Sequence, residues 1–251
     1  MKINNLLWCI VKELNAFGFS SVSCIPQQDN TVVLKSIVQD KSIWVTAKSK
    51  EVVDGVTMPF VISQLGMLTS MMNFEPYREA TITEGTPMQC DDPYTGGKVK
   101  SNSAFNFING ATKAHIRLAP LSHGGKVPET LDPKTDFIEF VPAQASIKNL
   151  STTSSIFAQV DTHVRPVVEN GVLIFQFGAE NTSNHCARQP FAETTFQNIS
   201  LAYTFPVKMI NAALSIPEAT NTVRIIPTGV MVIVAETEHF SYKFVIPGRN
   251  S

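Results

Sequence analysis

One local pattern occurs twice in this chain, and it constrains the fold more than any other feature. Residues 57–68 read TMPFVISQLGML and residues 204–215 read TFPVKMINAALS. Each copy has Thr, one large apolar residue and Pro, then apolar residues at helical spacing: Ile62, Leu65 and Leu68 in the first, Met209, Ala212 and Ala213 in the second. Proline is tolerated in the first turn of a helix, where no intrahelical N–H bond is lost. The pattern therefore predicts a strand reaching Thr57 or Thr204, with Pro59 or Pro206 opening a short helix. The copies start 147 residues apart, which is the spacing of domains rather than of solenoid repeats.

The sequences after the two copies also match in kind. The first is followed by an acidic turn at Glu75-Pro76, a strand ending TITEG (81–85) and two further strand-like runs. The second is followed by Pro217-Glu218 and then by TVRIIPTG, VMVIVAE and SYKFVIPG. Upstream, residues 4–17 carry an apolar stripe of Leu6, Leu7, Ile10, Val11 and Leu14 and predict a helix stopped at Gly18. Strands are expected at 21–25, 31–38 and 42–49, and paired strands over 98–120 turning at Asn109-Gly110. Residues 86–97, TPMQCDDPYTGG, are rich in turn formers, have no counterpart after the second copy and predict a loop insertion.

Residues 120–136 hold three prolines and two glycines without periodicity and read as a linker. Beyond it come a strand at 137–142 and a helix at 143–157 with Ile147, Leu150 and Ser154 in register. Strands follow at 163–169 and 172–180, turning at Asn170-Gly171, then a run at 181–195 that is polar and loop-like in part. The chain thus divides into an N-terminal domain 1–120, a connecting loop 121–136 and a C-terminal domain 137–251. Each domain is a doubled β-α-β-β-β unit, an α+β plan of helices beside antiparallel meanders.

At 251 residues, two cores are affordable, and 43% hydrophobic with 16% charged residues suits a folded β-rich protein. The formal net charge of −1 excludes a protein built simply to coat nucleic acid, so a nucleic-acid role requires charge placed unevenly. Cys9, Cys24, Cys90 and Cys186 are scattered and read as reduced thiols. The N-terminal pattern is too amphipathic for a signal peptide, and no run approaches the ~20 apolar residues of a membrane span. These features point to the cytoplasm, with no membrane partner.

The expected helices 4–17, 61–73, 143–157 and 207–216 contain Lys12, Lys148 and Lys208 but a single acid, Glu13, while the other 20 of 21 acids lie elsewhere. An amphipathic helix normally solvates its polar face with mixed charge. Chance accounts for any one of these helices. Four together predict a shared surface from which negative charge is excluded, as suits contact with a polyanion.

The two strand–Pro–helix copies (57–72 and 204–216), the helix at 4–17 and the closing strands 230–247 together resemble the sliding clamps. These are the ring-shaped processivity factors of DNA polymerases, of the T4-type bacteriophage and proliferating-cell-nuclear-antigen kinds. The resemblance covers most of the chain in organisation, and it implies the DNA-clamp fold, with helices on the inner side of curved antiparallel sheets. It further implies a homotrimeric, non-enzymatic ring around duplex DNA, in the host cytoplasm if the protein is viral. The partners implied are a clamp loader and the C-terminal tail of a DNA polymerase, and no cofactor is implied. On that resemblance Lys12, Lys148 and Lys208 face the DNA channel. A partner pocket is expected at Leu121, Val127, Leu131, Val245, Ile246 and Pro247. A subunit interface is expected between Thr112, His115 and Arg117 on one side and Cys186, Arg188 and Phe191 on the other. The competing reading is a structural or assembly β-protein, such as a virion component.

Catalytic patterns are not found in the sequence. SHGGK (122–126) and YTGGK (94–98) lack the first Gly of a phosphate loop, and Val follows both lysines. His185-Cys186 has no second ligand pair at metal spacing. No G-x-S-x-G frames a nucleophile. Phe105, Phe107, Phe175 and Phe177 alternate at period two and read as core.

Overall fold

A computed structural model describes residues 1–128, 137–159, 161–178, 185–196 and 199–250, the side chains of 199 and 200 excepted. The chain forms two compact units. Unit 1 is Met1–Glu129 with Glu238–Ser241, and unit 2 is Thr130–Thr237 with Tyr242–Ser251. The expected linker is described only as far as 128, and its residues 129–136 lie outside the described residues.

Unit 1 begins with α1 (Ile3–Leu14), β1 (Val22–Pro26), β2 (Val32–Ile37), β3 (Trp44–Ser49) and β4 (Phe60–Ile62). It continues with α2 (Leu65–Met72), the single turn α3 (Glu75–Arg78), β5 (Thr81–Glu84), β6 (Pro87–Asp91), β7 (Lys98–Asn102), β8 (Ala104–Asn109) and β9 (Thr112–Arg117). Its strands run in the orders β3-β2-β1-β4, β5-β8-β9 and β6-β7. Leu6, Leu7, Ile10 and Leu14 of α1 are fully buried, and α1 packs on α2. Gly18, at φ 69°, stops the helix end by donating its N–H to the Asn15 carbonyl, as its position in the sequence predicts. Phe60 of β4 meets Phe105 of β8 edge to face at 4.8 Å, which joins the two sheets through one apolar interior.

Unit 2 contains β10 (Ile138–Phe140), α4 (Gln144–Phe157), β11 (His163–Glu169), β12 (Val172–Phe177), β13 (Ala187–Glu193) and β14 (Ile199–Ser200). Then come β15 (Tyr203–Pro206), α5 (Val207–Leu214), β16 (Thr220–Ile226), β17 (Val230–Glu236), β18 (Phe240–Pro247) and β19 (Arg249–Asn250). The orders are β10-β16-β17-β18 and β13-β12-β11-β15-β19. Two β-α-β-β-β passes, β10-α4-β11-β12-β13 and β15-α5-β16-β17-β18, account for almost all of the unit. All of the strand pairs described are antiparallel where register is given, for example Ile138↔Ile225 and Thr220↔Glu236.

The doubled plan holds, but the local repeat that suggested it is read differently by each copy. Pro206 is the N-cap of α5, as expected. Pro59 instead precedes a strand: Phe60, Val61 and Ile62 are all buried in β4, and α2 starts only at Leu65. An aromatic and two β-branched residues favour a buried strand over a helical turn. The buried face of α5 is Val207, Ile210, Ala213 and Leu214; of the expected Met209, Ala212 and Ala213 only Ala213 lies on it, and the other two are half-buried. The expected loop 86–97 is also corrected. Residues 87–91 form β6, which pairs with β7 from Pro87↔Asn102 to Asp91↔Lys98, and only 92–97 form the turn. The run 181–195 contains the full strand β13.

The two hairpin turns differ in chemistry. At β11–β12 the loop is Asn170-Gly171, both at positive φ (50° and 77°), as a type I′ turn requires. At β8–β9 Asn109 is itself paired with Thr112, so the loop is Gly110-Ala111. The β16–β17 loop ends in Gly229 at φ 93°, where an added Cβ would meet the Tyr203 ring at 2.5 Å. Gly229→Ala is therefore expected to cost about 1–3 kcal/mol in denaturant unfolding. Gly66→Ala is expected to stabilise by about 0.5–1 kcal/mol, because Gly66 lies within α2 with open space around it.

Candidate nucleic-acid interface

The four long helices carry the same charges in the structure as in the sequence. Lys12, Lys148 and Lys208 are exposed. Glu13, their one acid, is buried, with only 8% of its surface exposed. The solvent faces of α1, α2, α4 and α5 thus carry no carboxylate. None has an acidic residue in its first turn, although that position favours one through the helix dipole.

Apart from exposed Met67 on α2 and Ile156 on α4, much of the rest of these faces is polar, and several hydroxyls bond within their own helix. On α4, Thr152 Oγ1 donates to the Lys148 carbonyl at 3.0 Å and Ser155 Oγ to the Ser151 carbonyl at 2.9 Å. On α2, Thr69 and Ser70 donate to the carbonyls of Leu65 and Gly66 at 2.8 and 3.1 Å. A hydroxyl whose proton is directed into its own helix has none to offer a phosphate. On α1, α4 and α5 such a face offers a polyanion a lysine without fixing it in register; α2 carries none. Within unit 2, Asn211 Nδ2 of α5 donates to Ser154 Oγ of α4 at 2.6 Å, which holds the pair together. Within unit 1, the Arg78 guanidinium lies 5.8 Å from the half-exposed Trp8 ring of α1, a pairing that the sequence reading did not find.

The expected interface residues lie on two edge strands, β9 in its sheet and β13 in its own. His115 and Arg117 are exposed, Thr112 is half-buried, and His115 Nδ1 lies 2.8 Å from Asn106 Oδ1. On the other strand, Cys186 is exposed just before β13, and Arg188 forms an ion pair with Glu169. Phe191 does not belong with them. It is 3% exposed and packs against Phe175 and Phe140, with ring centroids 4.9 and 5.8 Å away. Side chains alternate along a strand, so the odd-numbered Phe191 faces inward with Gln189 while Cys186 and Arg188 face out.

Exposed apolar residues that sequence reasoning missed flank both edges. Phe74 is 55% and Ile108 47% exposed, near β9; Tyr77 bridges Phe74 to Phe107, with centroids 5.5 and 6.3 Å away. Ile156, 68% exposed, lies on α4, which packs on β13 and bonds to it through Thr153 and Gln189. For Ile156 the available signal was an apolar residue out of phase with its helix stripe.

The expected partner pocket is corrected at residue level. Leu121, Val127, Val245 and Ile246 are buried. Val245 and Ile246 are consecutive and both fully buried, so both faces of that strand are covered there. Side chains already inside the protein cannot anchor a peptide. Pro247 is half-exposed, and Leu131 lies outside the described residues. Leu121 borders an open cavity, which lies in unit 1. Among the described residues no three His, Cys, Asp or Glu side chains are grouped to hold a metal ion, and no helix is long and apolar enough to cross a membrane.

Cysteine reactivity follows from placement. Burial pushes the Cys9 thiol up to about 12, helped by Glu13, and burial raises Cys24 further. Maleimide is expected to label Cys186 in the native protein, whereas Cys9 and Cys24 resist until the chain is unfolded. Mass spectrometry of the labelled peptides checks this.

No family model and no curated protein sequence matches the chain. Solved structures do. Proliferating cell nuclear antigen of Thermococcus kodakaraensis is similar at TM-score 0.67 and 10% identity, with 98% of this chain and 97% of that chain covered. A structure described as the C-terminal region of FEN-1 bound to A. fulgidus PCNA matches at TM-score 0.66 and 9% identity, over 99% and 96%. DNA polymerase III subunit beta of Borrelia burgdorferi matches at TM-score 0.67 and 12% identity, over 99% of this chain but 62% of that one. The chain has the DNA-clamp fold.

Proposed function

We propose that this chain, which has the DNA-clamp fold, is a sliding clamp that encircles duplex DNA and tethers a replicative polymerase. The observation that carries the reading is the absence of exposed carboxylates from α1, α2, α4 and α5, with Lys12, Lys148 and Lys208 exposed on three of them. Contacts from such faces are to phosphate, independent of sequence and sensitive to salt. The clamp is a scaffold with no reaction of its own. Its domains are 1–120 and 137–251, joined by 121–136.

The ring is a homotrimer closed head to tail, with the β9 edge of one subunit pairing with the β13 edge of the next. Unpaired edges invite strand addition, and a heterologous contact that closes after three steps leaves neither of these two edges exposed. Phe74 and Ile108 beside β9, and Ile156 beside β13, supply the apolar part of that contact. A loader opens the ring on DNA. Partner proteins dock through short tails, as the complex of an archaeal clamp with the C-terminal region of FEN-1 illustrates for that protein.

The test is the triple variant Lys12→Glu, Lys148→Glu and Lys208→Glu. All three side chains are exposed, so the fold should persist, and light scattering should still give about three times 27.5 kDa. In primed-template synthesis with the cognate loader and polymerase, product length is expected to fall by at least roughly tenfold at physiological salt, because nine charges around one hole are reversed. Single variants are expected to have little effect. Full processivity of the triple variant would remove the helices from the DNA-facing wall.

A further inference from the structure

Trp8 stands half-exposed on α1, and the fold does not require an aromatic ring there. Helices α1 and α4 are the first of their units. The buried residues Leu7, Ile10 and Leu14 of α1 correspond to Ile147, Leu150 and Ser154 of α4, each 140 positions later, and the same offset carries Trp8 onto Lys148. Unit 2 thus has a solvent-facing lysine where unit 1 has an indole. On α1 itself, Asn5 precedes Trp8 by one turn and Lys12 follows it by one turn, so the three share a face.

Beside Trp8 is an open cleft of about 880 Å³, within unit 1. Helix α1 forms one wall with Asn5 and Trp8, and the turn from α3 to β5 forms the other with Arg78 and Glu79; Asp54 completes the lining. Asn4 ties the walls together, its Nδ2 donating to the carbonyls of Arg78 and Ala80 at 2.8 and 2.5 Å. Small-molecule sites occupy roughly 300–1,000 Å³, so a flat heteroaromatic ring has room. Unit 2 has a cleft at the corresponding place, between α4 and the turn from α5 to β16. That one measures about 390 Å³, and among the described residues its lining includes Lys148 and no aromatic ring.

The Arg78 guanidinium carbon lies 5.8 Å from the centroid of the Trp8 ring. This is wider than the roughly 3.5–4.0 Å of carbon contact. A base held between two planes takes up twice the ~3.4 Å step between stacked bases, so an outward swing of about 1 Å by Arg78 admits one. The Arg78 side chain is 40% exposed, and its Nε contact with the exposed Glu79 is 3.5 Å, which holds it weakly. An indole face and a guanidinium plane are both surfaces on which bases stack. Charge decides which part of a nucleotide enters. Asp54 and Glu79 are exposed in the cleft and repel a phosphate. They accept hydrogen bonds, which the amino groups of cytosine, adenine and guanine supply. Phosphates are left to the exposed Lys2 and Lys12. In a duplex the base faces are covered by their neighbours and are not open to Trp8.

We propose that this cleft takes an unpaired nucleobase of a single strand, stacked between Trp8 and Arg78, with Asp54 or Glu79 accepting from its amino group and Lys12 meeting the adjoining phosphates. The site rests on the reading of α1 as a helix that faces nucleic acid, and it adds to that face a means of telling an exposed single strand from duplex. It lies wholly in unit 1 and needs no ring closure.

The experiment follows the anisotropy of end-labelled oligonucleotides of about 12 nucleotides, a length within single-strand site sizes, together with tryptophan fluorescence. The chain has two tryptophans, so Trp44→Phe leaves Trp8 as the only indole. Oligo-dC is expected to bind saturably at roughly 10⁻⁶–10⁻⁴ M in low salt and to quench Trp8. Oligo-dT, whose base has no amino group, should bind about fivefold more weakly, the loss of one hydrogen bond. Blunt duplex of the same length and free dCMP should bind at least roughly tenfold more weakly than oligo-dC. Trp8→Lys separates stacking from attraction. It installs the residue that unit 2 carries at the corresponding place and adds a positive charge, so attraction alone would tighten binding, whereas loss of the stack weakens it roughly tenfold. Trp8→Phe keeps a ring and should retain most of the binding, and Asp54→Asn with Glu79→Gln should remove the preference for oligo-dC over oligo-dT. The proposal is overturned by absence of saturable oligo-dC binding, by equal or tighter binding to Trp8→Lys, or by equal competition from duplex at the same charge concentration. Binding of dCMP as tight as that of oligo-dC would make this a mononucleotide site and overturn it too. No loader, polymerase or circular DNA is involved, so a failure here and a failure of encirclement are separate outcomes.

Discussion

Burial of the apolar helix stripes is the constraint on which the rest of this structure depends. Leu6, Leu7, Ile10 and Leu14 of α1, and Val207, Ile210, Ala213 and Leu214 of α5, are enclosed within their units. A Leu→Ala change at such a position costs about 2–5 kcal/mol, a large part of what holds a domain together. Because the stripe side of each helix is committed to the core, its other side must be the solvent face, whatever residues stand there. What stands there is mostly Lys, Asn, Ser, Thr and Gln, with exposed Met67 and Ile156 among them, and the one helix acid, Glu13, is on the buried side. The charge asymmetry is therefore a property of the solvent face of each helix and not of composition.

That surface combines attraction with weak grip. The lysines are long and screened, and several hydroxyls donate to carbonyls of their own helix instead of outward. A face made this way suits a binder that keeps its nucleic acid by enclosure and lets it move. The strands β9 and β13 are each an end strand of their sheet with exposed apolar residues nearby. The hairpin β6–β7 breaks the likeness between the units and places a rigid, tyrosine-tipped arm on the face of β1 and β2.

Much of this was legible in the sequence, for reasons that can be named. Helix α1 was clear because its stripe is long and ends in Gly18, and β11 and β12 because Asn170-Gly171 admits only a tight turn. The lysines were placed correctly as exposed because they fall opposite the apolar stripes. Phe60–Ile62 misled because three apolar residues after a proline fit a helical face and a buried strand equally well, and burial on both sides decides for the strand. Strand β6, PMQCD, alternates between exposed and half-buried and has no fully buried residue; its short Met88-Gln89-Cys90-Asp91 alternation is set among turn formers, which hid its pairing with β7. Phe191 went wrong through parity alone, since an odd step from Arg188 turns a side chain from solvent to core. Val127, Val245 and Ile246 were right as apolar residues but are covered rather than on the surface, because periodicity does not tell whether a second layer covers a strand; Leu121 is buried but borders a cavity.

Topological retention on DNA tests the central claim most directly. Labelled protein is loaded onto nicked circular plasmid by the cognate loader, freed of unbound protein by gel filtration at high salt, and then challenged with a restriction enzyme that cuts once. Encirclement without grip requires the protein to stay with the circle at salt that screens its lysines, and to leave within minutes of linearisation by sliding off the ends. Release from the uncut circle on raising salt, or persistence on the linear form, would contradict the account.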